Sequence, residues 1–352
     1  MANIAQAIRM ALHRGETELG VTDIFGEDVG PPLGGVFTCT QGLETAWNSP
    51  LDERGIIGTS FGLALAGCRN VAEIQFCDYI YNTIDLLKLV GSARWSSAGQ
   101  FNCPLVIMTP VGSGIHGSLY HSHSFDAIMT HIPGWKVVLP STPIDCYGLM
   151  VSAIKDPNPV MFLYPKALIR TPGQEKIPGE PADARELSKM IDAPLGSARS
   201  GWKAQWPDLT EYEIPIGKAK VLREGSDVTL VTYGRTAPLS VAAADALAEE
   251  DVTVEVIDLR SLQPYDWETI RDSVRKTGRF LQVNEDTEVT NFGEHLVRRV
   301  TEELFFELEA PPKMVAGKNT PGVGLAWDLE RNQVPQKEDI QSALRSLAYT
   351  FA

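Results

Sequence analysis

L-V-I-M-T-P-V-G-S-G-I-H-G-S-L-Y-H-S-H-S-F-D, Leu105 to Asp126, opens with an apolar run, Leu105 to Met108, and passes directly into a segment rich in glycine and serine. The run reads as a buried strand and the segment as the loop leaving its end. In an open parallel α/β sheet that end is where ligands bind. The loop carries His116, His121 and His123, with His131 just beyond, so four of the chain's six histidines fall together. Neutral imidazoles serve both as metal ligands and as proton-transfer groups near neutral pH. A closed zinc site would want four ligands, and neither H-E-x-x-H nor paired C-x-x-C spacing occurs. A structural loop whose histidines satisfy backbone carbonyls is the remaining reading.

The chain on either side alternates in the same way. Val21 to Phe25 reads as a short strand ending in G-E-D-V-G, Gly26 to Gly30, two acids bracketed by glycine that could bind a ligand, although glycine favours a solvated turn. Ile56 to Ala66 is small and apolar nearly all round and reads as a buried helix packed through Gly58 and Gly62. Glu53 stands at its start, where a carboxylate can serve as no more than a helix cap or can be carried inward with the apolar helix, where an unpaired carboxylate is costly and a ligand partner is plausible. Val71 to Phe76, Trp135 to Leu139 and Val160 to Tyr164 read as further strands, with helices at Ile84 to Trp95 and Pro143 to Ile154. Strands alternating with helices indicate a parallel sheet covered on both faces. K-D-P-N-P, Lys155 to Pro159, reads as a proline turn.

Six prolines between Thr171 and Pro215 mark a linker, within which Glu180 to Asp192 can form a helix and Trp202 and Trp206 imply packing against a surface. A second α/β unit follows, with strands at Val228 to Tyr233, Val252 to Ile257, Phe280 to Val283 and Met314 to Ala316. Asn284-Glu285-Asp286 lies at a strand end with no catalytic set evident around it. The expected organisation is two open, mostly parallel-sheet α/β domains, residues 1–170 and 216–352, joined by residues 171–215.

The balance of 31 basic against 45 acidic residues, net −14, argues against a nucleic-acid backbone or an anionic membrane as main partner. Five cysteines without C-x-x-C spacing argue against a disulfide framework, and a reducing cytoplasm fits. The first fifteen residues lack a signal-peptide core, and no apolar run approaches the ~20 residues that span a bilayer.

F-G-E-D-V-G (25–30), G-G-V-F (34–37), P-L-D-E-R-G-I (50–56), E-I-Q-F-C-D-Y (73–79), H-G-S-L-Y-H-S (116–122), P-G-W-K-V-V (133–138), D-P-N-P-V (156–160), D-L-R-S-L-Q-P (258–264) and V-R-K-T-G-R (274–279) occur in order. Together they resemble the beta subunit of the thiamine-diphosphate-dependent decarboxylase component of 2-oxoacid dehydrogenase complexes, of the pyruvate or branched-chain kind. The resemblance implies a pyrimidine-binding domain followed by a transketolase-like C-terminal domain. It places Glu53 at N1′ of the cofactor's aminopyrimidine, where a carboxyl group favours the tautomer that removes the C2 proton. It puts Tyr79 against the pyrimidine ring with Leu51 beside the glutamate, and gives His121 a part in proton transfer during acylation of lipoamide. Leu105, Asp156 and Asn158 match a potassium site of some members. The chain has no G-D-G motif, so the ligands for the diphosphate and Mg²⁺ are expected from an alpha subunit, in a heterotetramer of two alpha and two beta chains that serves a lipoyl-bearing acyltransferase core.

Three features depart from the family. His123 stands where glutamine is common, residues 171–215 are longer than usual, and the tail from Asn319 to Pro335 lacks the usual proline- and aromatic-rich form. Two other functions remain open at this point: acetoin cleavage or a transketolase-like transfer on the same cofactor, and a non-catalytic assembly subunit.

Overall fold

The structure is a computed structural model that describes residues 1–199 and 201–350. Two compact units are present: Met1–Pro110 with Ile132–Tyr164 and Leu168–Ile216, and Val111–His131 with Pro165–Ala167 and Gly217–Ala352. The expected linker and C-terminal ranges include Ser200, Phe351 and Ala352, which lie outside the described residues.

The first unit holds strands β1 (Val21–Gly26), β2 (Ala46–Asn48), β3 (Arg69–Glu73), β4 (Leu105–Val111, whose last residue opens the second unit), β5 (Lys136–Val138) and β6 (Val160–Pro165). Their order is β5-β6-β4-β3-β1-β2. β1 runs parallel to β2 and β3, β3 to β4, and β5 to β6. Every residue of β4 and β6 is buried, as expected of central strands covered on both faces. Helix α1 (Ile4–Glu18) starts at Asn3, whose side chain caps the Gln6 amide while Gln6 returns to the Asn3 backbone. It buries Ile4, Ile8 and Leu12 in the unit's core.

Residues 171–215, expected to be a linker, pack into this unit. Ile177, Leu187, Ile191 and Ile214 join its core, and Arg9, buried on α1, binds Asp192 Oδ1 at 2.9 Å and the Ile191 carbonyl. Proline density signals irregular backbone, not detachment, so composition could not tell the two apart.

Helix α2 (Glu53–Leu65) is the main departure from expectation. Only Ile56, Ile57, Ser60 and Ala64 are buried, and a Cβ added at Gly58 or Gly62 would meet nothing within 4 Å. An all-round apolar helix signals burial without saying by which chain. Helix α3 (Ile84–Ser96) follows; Leu51, Leu65, Tyr81, Leu89, Trp95 and Phe101, on or beside α2 and α3, are all exposed.

The remaining helices in chain order are α4 (Asp126–Thr130) in the second unit, then α5 (Pro143–Lys155) and α6 (Ala184–Ile191) in the first. The body of the second unit runs β7 (Lys220–Arg223), β8 (Val228–Thr232), α7 (Thr236–Ala248), β9 (Val254–Asp258), β10 (Ser261–Gln263), α8 (Trp267–Thr277), β11 (Phe280–Thr287), α9 (Phe292–Leu304), β12 (Lys313–Gly317), α10 (Trp327–Gln333) and α11 (Lys337–Ala348). Its sheet has the order β12-β11-β8-β9-β7. All neighbours are parallel except β7, which runs antiparallel to β9 at the edge.

Candidate active site

In the first unit, the expected cofactor residues gather where α2 begins. Arg54 clamps Asp85 with both guanidinium nitrogens, at 2.6 and 3.0 Å, and reaches the Asn82 carbonyl at 2.8 Å. That fixes the first turn of α2 to the start of α3. Glu53 is half-buried there, and Asn82 Nδ2 donates to its Oε2 at 3.4 Å. Tyr79, partly buried, packs edge-on to Phe76 at 5.7 Å. Leu51 is 71% exposed.

Glu27, at the end of β1, joins them. Burial first, then the charges of Asp28 and Glu53, raise its carboxyl above the usual range. Burial likewise raises the Tyr79 phenol, followed by Asp78, Glu27 and Glu53. Two carboxyl groups and a phenol therefore sense one another beside an exposed leucine. This set fits the aminopyrimidine of thiamine diphosphate, whose ring nitrogen pairs with a carboxyl group, whose amino group needs an acceptor and whose faces need apolar cover. The solvated-turn reading of G-E-D-V-G overlooked Glu27.

The histidine loop belongs to the second unit, so its residues are described there alone. Its three histidines do not converge on one point. His116 Nδ1 lies 2.6 Å from Glu330 Oε2, His121 Nδ1 lies 3.0 Å from the Gly117 carbonyl, and His123 Nε2 is 4.0 Å from Asp286 Oδ1. A carbonyl only accepts, so Nδ1 of His121 carries hydrogen and, in the neutral ring, Nε2 is the basic nitrogen. That arrangement suits proton transfer rather than shared metal ligation.

The loop is held by acids at the end of β11. Ser113 donates to Glu285 Oε2 through its amide at 3.1 Å and its hydroxyl at 3.3 Å. Gly112, at φ +82°, leaves room for this carboxylate; a Cβ there would sit 2.0 Å from Glu285 Oε1. Asp126 is fully buried beside Asp286 and Tyr233. Burial, then the charge of Asp286 and a hydrogen bond to it, hold the Asp126 carboxyl well above the usual range. Glu285 and Asp286 border a cavity of about 240 Å³ lined also by Ser122, His123 and Lys318. Sequence reading had placed Asn284-Glu285-Asp286 at a strand end and stopped there. The carboxyl end of a parallel strand was the signal that could have found them.

Asp156 and Asn158, in the first unit, are hydrogen-bonded to each other. Asp156 Oδ1 accepts from the Asn158 amide at 2.9 Å and from its Nδ2 at 2.8 Å, and Oδ2 binds the Lys136 ammonium. A tethered cation thus meets the carboxylate charge. Leu105 is buried in β4, two positions from Cys103, whose amide bonds the Pro157 carbonyl at 2.8 Å.

Residues 1–172 match the family model of the transketolase pyrimidine-binding domain, and residues 217–340 that of the transketolase C-terminal domain. Over 98% of its length the chain is 38% identical to 2-oxoisovalerate dehydrogenase subunit beta 2, mitochondrial, of Arabidopsis thaliana, covering 88% of that protein. The chain belongs to the family of 2-oxoacid dehydrogenase beta subunits. It is 35% identical to the 2-oxoisovalerate dehydrogenase subunit beta of Bacillus subtilis, with 92% of each chain covered, and 37% identical to the pyruvate dehydrogenase E1 component subunit beta of Acholeplasma laidlawii, with 98% and 96% covered. A solved split-gene transketolase, described as an inactive beta4 tetramer, shares the fold at a TM-score of 0.69 and 18% identity, with 99% of each chain covered.

Proposed function

We propose that this chain is the beta half of a thiamine-diphosphate-dependent component that decarboxylates a 2-oxoacid, pyruvate or a branched-chain acid, and passes the acyl group to lipoamide. The observation that carries the reading is the cluster of Glu27, Glu53 and Tyr79 at the start of an apolar helix that the described residues leave open. The relatives named above support it over almost the whole chain.

Thiamine diphosphate, when bound, supplies the nucleophilic carbon and the electron sink. Glu53 would accept a hydrogen bond from the pyrimidine ring nitrogen, while Leu51 and Tyr79 would flank the ring. Glu27, whose carboxyl pKa is raised by burial and the charges of Asp28 and Glu53, would stand beside the same ring. In the other unit, His121 presents the basic nitrogen set by Gly117 and serves the proton inventory of acyl transfer.

The face of α2 and α3 is the part of this proposal that calls for an alpha chain. Gly58 and Gly62 would admit a helix at close approach, and the partner would bring the diphosphate and Mg²⁺ ligands to a heterotetramer of two alpha and two beta chains. A lipoyl-bearing acyltransferase core would receive the product. No helix among the described residues is long and apolar enough to cross a membrane, and none of the five cysteines forms a disulfide; we assign the chain to the cytoplasm.

The test is co-expression with the genomic neighbour, followed by sizing, thiamine diphosphate titration and CO₂ release from pyruvate and branched-chain 2-oxoacids. A heterotetramer that needs both chains to bind cofactor and decarboxylates one of these acids is expected. Activity of this chain alone would refute the half-site. Turnover of acetoin or a sugar phosphate instead would move the substrate assignment, and a stable assembly that binds no cofactor would leave a structural subunit.

A further inference from the structure

The tail from Asn319 to Pro335 departs from the family form in sequence, yet it supplies a buried carboxylate that reaches the histidine loop. Glu330, on α10 and 4% exposed, accepts the Gly114 amide on Oε1 at 2.5 Å and faces His116 Nδ1 with Oε2 at 2.6 Å. Trp327, one turn earlier, lies with its ring 5.1 Å from that of His116. The tail is itself tied down: Gln333 accepts the Gly324 amide and donates to the Gly322 carbonyl at 2.6 Å, while Arg235 Nη1 donates to the Pro335 carbonyl at 3.2 Å.

The loop needs such a hold. His116 and Ser118 have left-handed backbones, φ +55° and +60°, a conformation that costs a non-glycine residue about 1 kcal/mol or more and persists only when neighbours impose it. Gly117 lies between them, and a Cβ there would fall 2.7 Å from His121 Cβ. The turn therefore doubles back onto His121, and the Gly117 carbonyl it presents is the group that puts hydrogen on His121 Nδ1.

We propose that Glu330 is a positioning residue: by gripping Gly114 and His116 it fixes the turn at Gly117, and through it the orientation and tautomer of His121. The consequence for acyl transfer rests on the function proposed above; the effect on the loop does not.

The experiment compares Glu330→Ala, Glu330→Gln and the control Glu338→Gln in the assembled alpha and beta complex. Glu338 is on α11 and makes only an exposed 3.6 Å pair with Arg331. Two readouts are taken: hydrogen exchange of peptides covering residues 112–123, and the kcat and KM of lipoyl acylation. Glu330→Ala should speed exchange in that segment about ten- to a hundredfold, the worth of hydrogen bonds to a charged group. It should lower kcat for acyl transfer about tenfold or more, with KM for the 2-oxoacid within about twofold. Glu330→Gln can still accept from Gly114 and should restore part of both, and it carries the test if the alanine variant does not assemble. Glu338→Gln should match wild type. Unchanged loop exchange in the glutamine and alanine variants, or exchange that rises equally in β8 and β9, would overturn the proposal. Should the wild-type complex decarboxylate no 2-oxoacid, the functional reading fails while the exchange comparison still decides the role of Glu330.

Discussion

Replacing Glu73 by glutamine should change the pH dependence of stability in a defined direction. Glu73 ends β3 wholly buried, with Tyr164 Oη donating to its Oε1 at 2.7 Å. Burial raises its carboxyl from 4.5 to about 7, against the opposing hydrogen bonds from Tyr164 and the Val36 backbone. Because the folded pKa lies above the unfolded one, the native state holds an extra proton between pH 4.5 and 7, and stability falls as pH rises through that window. The full loss, present above pH 7, is about 3 kcal/mol. Glutamine has no charge to desolvate and can still accept from Tyr164. The variant should therefore be close to wild type near pH 4.5 and more stable by a few kcal/mol, about 3 at most, at pH 8. Urea unfolding of both proteins from pH 4.5 to 8, followed by tryptophan fluorescence, measures this. A difference that stays constant across the series would refute the burial argument, because only an ionisation confined to the wild type makes it grow.

Glu53→Gln should lower 2-oxoacid decarboxylation by about a hundredfold or more in the assembled complex while leaving the melting temperature nearly unchanged, since the side chain is half-buried with one long 3.4 Å contact; a wild-type rate would remove it from the mechanism. His121→Ala should slow lipoyl acylation more than CO₂ release to an artificial acceptor, and equal losses in the two assays would count against its assigned role. Gly58→Leu should fold normally, because a side chain there meets nothing within 4 Å in this chain, yet fail to co-elute with the alpha chain on sizing; normal assembly would place the partner elsewhere.

The α/β class and the order of elements were legible because strands such as β4 and β6 are continuous apolar runs that only a sheet covered on both faces buries. Glu53, Leu51 and Tyr79 were named through the resemblance, and of these Tyr79 lies within reach of the Glu53 charge. Glu27 was not, since an acid between glycines reads as a turn until its neighbours are known. Glu330 lies more than two hundred residues from the loop it grips, and no local pattern reports a contact of that range. Asp156 illustrates the converse: its motif offers oxygen ligands, but the Lys136 ammonium that meets its charge comes from β5.

The exposed apolar side chains near α2 bear on why this chain should be half of an active site. Leu51, Leu65, Tyr81, Leu89, Trp95 and Phe101 are too many to be isolated surface residues of the ordinary kind. Covering a large apolar side chain fully is worth about 1.5–3 kcal/mol, so six of them offer on the order of 10 kcal/mol. That is comparable with the roughly 4–15 kcal/mol that association costs in lost freedom, so this surface offsets much of that cost before any polar contact forms. Glu53, half-buried at the start of α2, has a carboxylate that gains strength as a hydrogen-bond acceptor when water is excluded. One partner that buries α2 would therefore perform two tasks together: it would stabilise the assembly and lower the dielectric around Glu53, the carboxylate proposed to hold the cofactor. A chain lacking that partner would leave Glu53 in water, where its hydrogen bond to the cofactor is weakest.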